Sequence, residues 1–110
     1  MPRRRCRRWV RYEPEVSYFK PAGIPKAQLE TIPLLVEEYE AVRLADFKGK
    51  SQSAAAKEMG VSQPTFHRML VSARKKVSDA LINGKAIKIE GGHYVVTAKR
   101  GGVDDTKDTE

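Results

Sequence analysis

Apolar positions recur with a helical period through the middle of the chain and alternate like a strand only near its end. From Leu34 to Asp46 they fall at Leu35, Tyr39, Val42, Leu44 and Ala45, with acidic residues filling much of the other face, which predicts a helix. Gly49 breaks it, Ser51 is placed to cap the next one, and the alanine run in Gln52 to Met59 favours a second, short helix that Gly60 ends. Ser62 then caps a third, with Pro64 in its first turn, where a missing amide hydrogen costs nothing. Its predicted buried stripe is Phe66, Met69, Leu70, Ala73, Val77, Ala80 and Leu81, carried to Asn83 and Gly84, so this helix is the longest. After it, Ala86-Ile-Lys-Ile-Glu alternates, Gly91-Gly92 can turn with positive φ, and Tyr94-Val-Val-Thr can return, the pattern of a small β-hairpin.

The flanks lack such periods. Six arginines fall in the first eleven residues (Arg3, Arg4, Arg5, Arg7, Arg8 and Arg11), too much like charge to fold alone and well suited to lie along phosphates. From Tyr12 to Pro33 prolines and turn residues oppose helix and favour extended chain, with Trp9, Tyr12, Tyr18 and Phe19 as its anchors on the helical core. The last ten residues are polar and acidic, with almost nothing to bury, and are expected to be disordered. The expected division is a basic arm and wrap over 1–33, three helices over 34–83, a hairpin over 84–100 and a tail over 101–110. The expected fold is mainly α: a three-helix helix-turn-helix domain, winged-helix-like, with an extended N-terminal arm and a C-terminal β-hairpin.

Composition narrows the function classes. A chain of 110 residues has room for one compact domain. With 32% charged residues and 7% aromatics, a large enclosed substrate cavity is not expected. The net charge of +7 draws polyanions, nucleic acid first among them. No stretch reaches the ~20 apolar residues of a membrane span, so no membrane association and a cytoplasmic location are expected. A lone cysteine, Cys6, excludes an internal disulfide and a thiolate metal cluster. No carboxylate pair, nucleophile elbow or phosphate-binding glycine loop marks an enzyme, and neither a catalytic residue nor a cofactor is expected.

The strongest signal is the block from Gln52 to Val71. Two short helices crossing steeply need a small residue at the crossing, a residue able to take positive φ in the turn, and apolar residues locking both to a third helix. Ala56, Gly60, and the set Ala55, Met59, Val61, Phe66 and Met69 meet those needs. What stays outward on the second helix of the pair is polar. Gln63, Pro64, His67 and Arg68 are the candidates for base contact in a major groove, where arginine can grip guanine bidentately and glutamine adenine. Phosphate candidates are Ser62 and Thr65, at the positive end of the helix dipole, and Arg74, Lys75 and Lys76 farther along. Arg3, Arg4, Arg5, Arg7 and Arg8 of the arm join them. His67 and His93 lack the partners a metal site needs.

The segment Glu38-Tyr-Glu-Ala-Val-Arg-Leu-Ala-Asp, with the block above and Ala73-Arg-Lys-Lys-Val, resembles the promoter-reading region-four module of sigma factors over roughly Leu34 to Leu81. With Pro2-Arg-Arg-Arg-Cys-Arg, Phe19-Lys-Pro-Ala-Gly-Ile-Pro and Gly84-Lys-Ala-Ile-Lys-Ile-Glu-Gly-Gly-His-Tyr, about nine tenths of the chain is similar to a prokaryotic family of small predicted DNA-binding proteins. Some members carry a further, cofactor-biosynthesis-like domain after the hairpin, where this chain runs into its acidic tail. The resemblance implies sequence-specific binding of double-stranded DNA and transcriptional regulation. Two other readings stand beside it: docking on RNA polymerase through the acidic first helix or the hairpin edge, and non-specific DNA or RNA binding led by the arginine arm. Pairing of hairpin edges also makes a homodimer an expectation.

Overall fold

The computed structural model describes residues 7–97; Arg3, Arg4, Arg5, Cys6 and the acidic segment 101–110 lie outside them. Five short strands flank three helices: β1 (Arg8–Val10), β2 (Tyr18–Phe19), β3 (Thr31–Leu34), α1 (Val36–Val42), α2 (Gln52–Met59), α3 (Gln63–Asn83), β4 (Ala86–Ile89) and β5 (Tyr94–Val96). A π-helical turn, Arg43–Phe47, extends α1, and a 3-10 turn, Lys26–Gln28, precedes β3.

Local chemistry sets the helix limits. The Ser51 hydroxyl accepts from the Ala54 amide at 3.1 Å and starts α2. Gly60, at φ +67°, stops it, and Ser62 restarts the chain by accepting from the Thr65 amide at 3.3 Å. Gly84, in the same left-handed region, ends α3. α3 is the spine of the molecule: Phe66, Met69 and Leu70 pack with Ala41, Leu44, Ala55, Ala56 and Met59. One turn on, Ala73 packs with Val10, Leu34, Val36 and Ile89 from the strands and α1. The buried stripe stops short of its predicted end, for Leu81 is 76% exposed.

The expectation of a mainly α, three-helix domain carrying a loose arm and a C-terminal hairpin is overturned, because the flanks build two small sheets and the fold is mixed α/β. β4 is the middle strand of a three-stranded sheet, antiparallel to β2 and parallel to β3, with Thr31 opposite Ala86 and Leu34 opposite Ile89. β5 pairs in parallel with β1, Arg8 opposite Tyr94 and Val10 opposite Val96. The Gly91-Gly92 turn has the positive φ expected of it, but it wraps the start of α1 instead of folding β5 back on β4: the Val36 amide donates to the Gly91 carbonyl at 3.2 Å. Among the described residues β4 and β5 thus form no hairpin, and β4 is paired along both of its edges. Arg8, read as part of an arm, is a strand residue of the folded body.

The second departure is on α1. Its carboxylates, read as a solvent face, are buried: Glu37, Glu38 and Glu40 are 2%, 5% and 3% exposed. A buried carboxylate is tolerated only with its oxygens hydrogen-bonded and its charge opposed. Glu37 accepts from the His93 amide at 2.9 Å and faces Arg8 Nη1 at 3.7 Å. Glu38 accepts from the Leu35 amide at 2.9 Å, Lys76 Nζ at 2.7 Å and Ser72 Oγ at 2.6 Å. Glu40 takes the Arg43 guanidinium in two bonds, at 2.8 and 2.9 Å, and the Arg11 amide at 3.1 Å. One helix turn thus ties the N-terminal strand, the glycine turn and α3 together.

Gly92 makes room for this. A β-carbon there would stand 2.0 Å from Glu37 Oε1, on a backbone at φ +102°. Gly92→Ala should therefore destabilise the fold by ~3 kcal/mol or more, from backbone strain plus a displaced buried carboxylate. Urea unfolding checks it, and a cost under ~1 kcal/mol would mean that Glu37 is not held in place.

Candidate nucleic-acid interface

The start of α3 presents a compact set of polar groups. Pro64 lies in its first turn, with the Ser62 cap before it and Gln63 beside it, all exposed. Ser62 Oγ donates to Thr65 Oγ1 at 3.0 Å, and the same Thr65 oxygen accepts from Arg68 Nη2 at 3.2 Å. These bonds pin the Arg68 side chain along the first turn, where α3 carries its partial positive charge. One turn in, His67 Nδ1 lies 3.2 Å from Gln52 Oε1, the first residue of α2. Gln52, Gln63, Pro64, His67 and Arg68 line one shallow hollow across the two helices.

Behind this surface sits β1. Arg8 lines a second hollow with Gly60, Val61, Ser62 and Thr65. The Trp9 ring covers the turn between α2 and α3, and a β-carbon on Gly60 would stand 3.0–3.2 Å from three of its atoms. Gly60 is therefore fixed twice, by its left-handed φ and by the ring laid over it. Trp9 anchors the N-terminal segment on the helices, and Arg7, two residues before it, is exposed.

Of the predicted base-reading residues, Gln63, Pro64, His67 and Arg68 come together on this one surface, with Ser62 and Thr65 at its edge. The predicted phosphate residues of α3 divide. Lys75 is exposed. Arg74 is clamped by Asp46 of the π-helical turn, Nη2 to Oδ1 at 2.7 Å and Nε to Oδ2 at 3.1 Å. That bidentate bond holds the Asp46 carboxyl below the usual carboxylate range and the Arg74 guanidinium above its own. Lys76 is spent on buried Glu38, and Arg8, facing Glu37, is a half-buried structural residue. Three of the cations assigned to phosphate thus already face carboxylates within the fold. The sequence reading missed Gln52, whose only signal was its place just after the Ser51 cap. Among the described residues no three His, Cys, Asp or Glu side chains converge as ligands for a metal ion. No helix of the described residues is long and apolar enough to cross a membrane.

Residues 1–97 match the model of a family described as protein of unknown function DUF134. The chain belongs to this family. Among its relatives, UPF0251 protein TTE1845 of Caldanaerobacter subterraneus subsp. tengcongensis is 57% identical over 96 residues, 87% of this chain and 81% of that protein. UPF0251 protein DehaBAV1_0135 of Dehalococcoides mccartyi is 54% identical over 100 residues, 90% of this chain and 85% of the other. A UPF0251 protein of Moorella thermoacetica is 56% identical over 94 residues, which make up 86% of this chain but 63% of the longer relative. No solved structure matches. The DUF134 match takes in β1 through β5, so both sheets and the α2–α3 surface lie inside the family's shared region.

Proposed function

We propose that this DUF134 protein binds double-stranded DNA and regulates transcription, using α2 and α3 as a helix-turn-helix whose second helix enters the major groove by its N-terminal half. The observation that carries the reading is the polar surface shared by Gln52, Gln63, Pro64, His67 and Arg68. It lies at the starts of two successive helices that pack into a single core. A solvated face has no need of such pinned side chains, whereas base reading needs hydrogen-bonding groups held still at a helix start. The net charge of +7 supplies the sequence-independent attraction. The groups present suit binding, and no catalytic role is assigned to any of them. RNA polymerase docking through α1 has little exposed acid to use, its three carboxylates being buried.

Selection from a random duplex pool tests the reading: a recovered motif supports it, and equal recovery of all sequences would leave only non-specific binding. Once a motif is known, Gln63→Ala and Arg68→Ala should each relax preference at one base position by ~1–3 kcal/mol. Both should change stability by less than ~0.5 kcal/mol, because the side chains are exposed. Phe66→Ala, fully buried between the helices, should instead cost ~3–5 kcal/mol of folding free energy. An Arg68→Ala protein that melts early and keeps its base preference would put the wrong face of α3 toward DNA.

A further inference from the structure

We propose that Gln52 is a positioning residue that sets the tautomer of His67, and thereby makes His67 a selector of bases that offer a hydrogen-bond donor. The inference rests on the proposed DNA-reading role of α3 and names what one of its residues reads.

In a neutral imidazole one ring nitrogen carries the hydrogen and the other is a bare acceptor, and the partner of one decides the state of both. His67 Nδ1 meets Gln52 Oε1 at 3.2 Å. An amide oxygen only accepts, so this contact requires the hydrogen on Nδ1. Nε2 is then left as an acceptor. The ring is exposed on the same hollow as Gln63, Pro64 and Arg68. The charged group lining that hollow is Arg68. The surface therefore carries two opposite readers: Arg68, a donor only, and His67 Nε2, an acceptor only.

The major-groove code turns this into a prediction about sequence. Adenine and cytosine present exocyclic amino donors there, whereas guanine and the thymine carbonyl present acceptors. His67 should select adenine or cytosine over guanine or thymine at one strand position, next to a position where Arg68 selects guanine. Without Gln52 the ring would sample both tautomers and accept either class.

Nitrogen-15 NMR of the free protein, at a pH where the ring is neutral, reads the first half without DNA. The His67 resonances should show a protonated Nδ1 and a bare Nε2 in the native chain, and a tautomer mixture in Gln52→Leu, which keeps the size and removes the bond. The hydrogen on Nε2 in the native chain, or an unchanged ring in Gln52→Leu, would overturn the proposal. A base-by-base binding profile reads the second half. Gln52→Leu should lose about fivefold of preference at the His67 position, the share of one neutral hydrogen bond, and keep its preference at the Arg68 position. Gln52→Asn, with the acceptor drawn back by one methylene, should fall between the two in both measurements. A native ring with the expected tautomer but no selected motif would sink the DNA reading and leave the Gln52 bond intact; a selected motif insensitive to Gln52→Leu would sink this inference alone.

Discussion

Glu38→Ala should cost ~3–5 kcal/mol of stability, more than any substitution on the exposed face of α3, because it strands three hydrogen-bond donors at a buried site. Lys76 Nζ, Ser72 Oγ and the Leu35 amide all converge on this carboxylate, which is 5% exposed. Removing it leaves the Lys76 ammonium, itself largely covered, with its countercharge gone and with too little water to replace it. The double variant Glu38→Ala with Lys76→Met should recover part of the loss, since the uncompensated charge leaves with its partner. The exposed pair of Lys50 and Glu58 is the control, and Glu58→Ala should cost under ~1 kcal/mol. Urea unfolding of the four proteins decides between the outcomes. A Glu38→Ala protein as stable as Glu58→Ala would mean that the carboxylate is solvated and that α1 does not tie α3 to the strands.

What the sequence disclosed and what it hid follow from range. The boundaries of α2 and α3 are written in neighbouring residues: Ser51 and Ser62 cap the helices on amides three positions on, and Gly60 and Gly84 end them in a conformation glycine adopts freely. The polar start of α3 was legible for the same reason, since the Ser62 cap places Gln63 and Pro64 in the first turn and helical geometry puts Arg68 opposite Phe66 and Leu70. The sheets were not legible. Parallel pairing of Arg8–Val10 with Tyr94–Val96 joins segments more than eighty residues apart, and no local pattern announces it. The Gly91-Gly92 turn was correctly seen as a turn, but a turn does not say what its second arm pairs with. Competition for β4 from β2 and β3, on both its edges, decided that.

The acidic positions of α1 misled for a physical reason as well. Periodicity sorts residues by the typical cost of burying them, and a carboxylate is normally too costly to bury. Here the cost is offset by partners from elsewhere in the chain, among them Arg8 in β1 and Lys76 on α3. Only the folded arrangement brings those partners together. The same partnership withdraws Arg8 and Lys76 from the surface charge that the sequence assigned to DNA, and Asp46 does so for Arg74.

That redistribution of charge determines the expected salt response. With Arg8, Arg74 and Lys76 facing carboxylates, four of the five other cations assigned to phosphate, Arg3, Arg4, Arg5 and Arg7, precede Arg8 in the chain, and the N-terminal arm should carry most of the electrostatic term. Binding to a duplex should weaken by about a thousandfold between ~50 and ~200 mM salt if ~6 phosphates are neutralised. Deleting Pro2 to Arg7 removes Arg3, Arg4, Arg5 and Arg7. It should lower the slope of log affinity against log salt by about 3–4, so that the truncated chain loses only ~10-fold over the same range. The cut stops before Arg8 because that residue belongs to β1 and faces Glu37, so melting should be unaffected. Base preference should also be unchanged, since phosphate contacts carry no direct base information. A truncated chain that keeps its full salt slope would show that the arm does not touch phosphate and that cations of the folded body do. A truncated chain that changes which sequence it selects would place the arm inside a groove, against the bases.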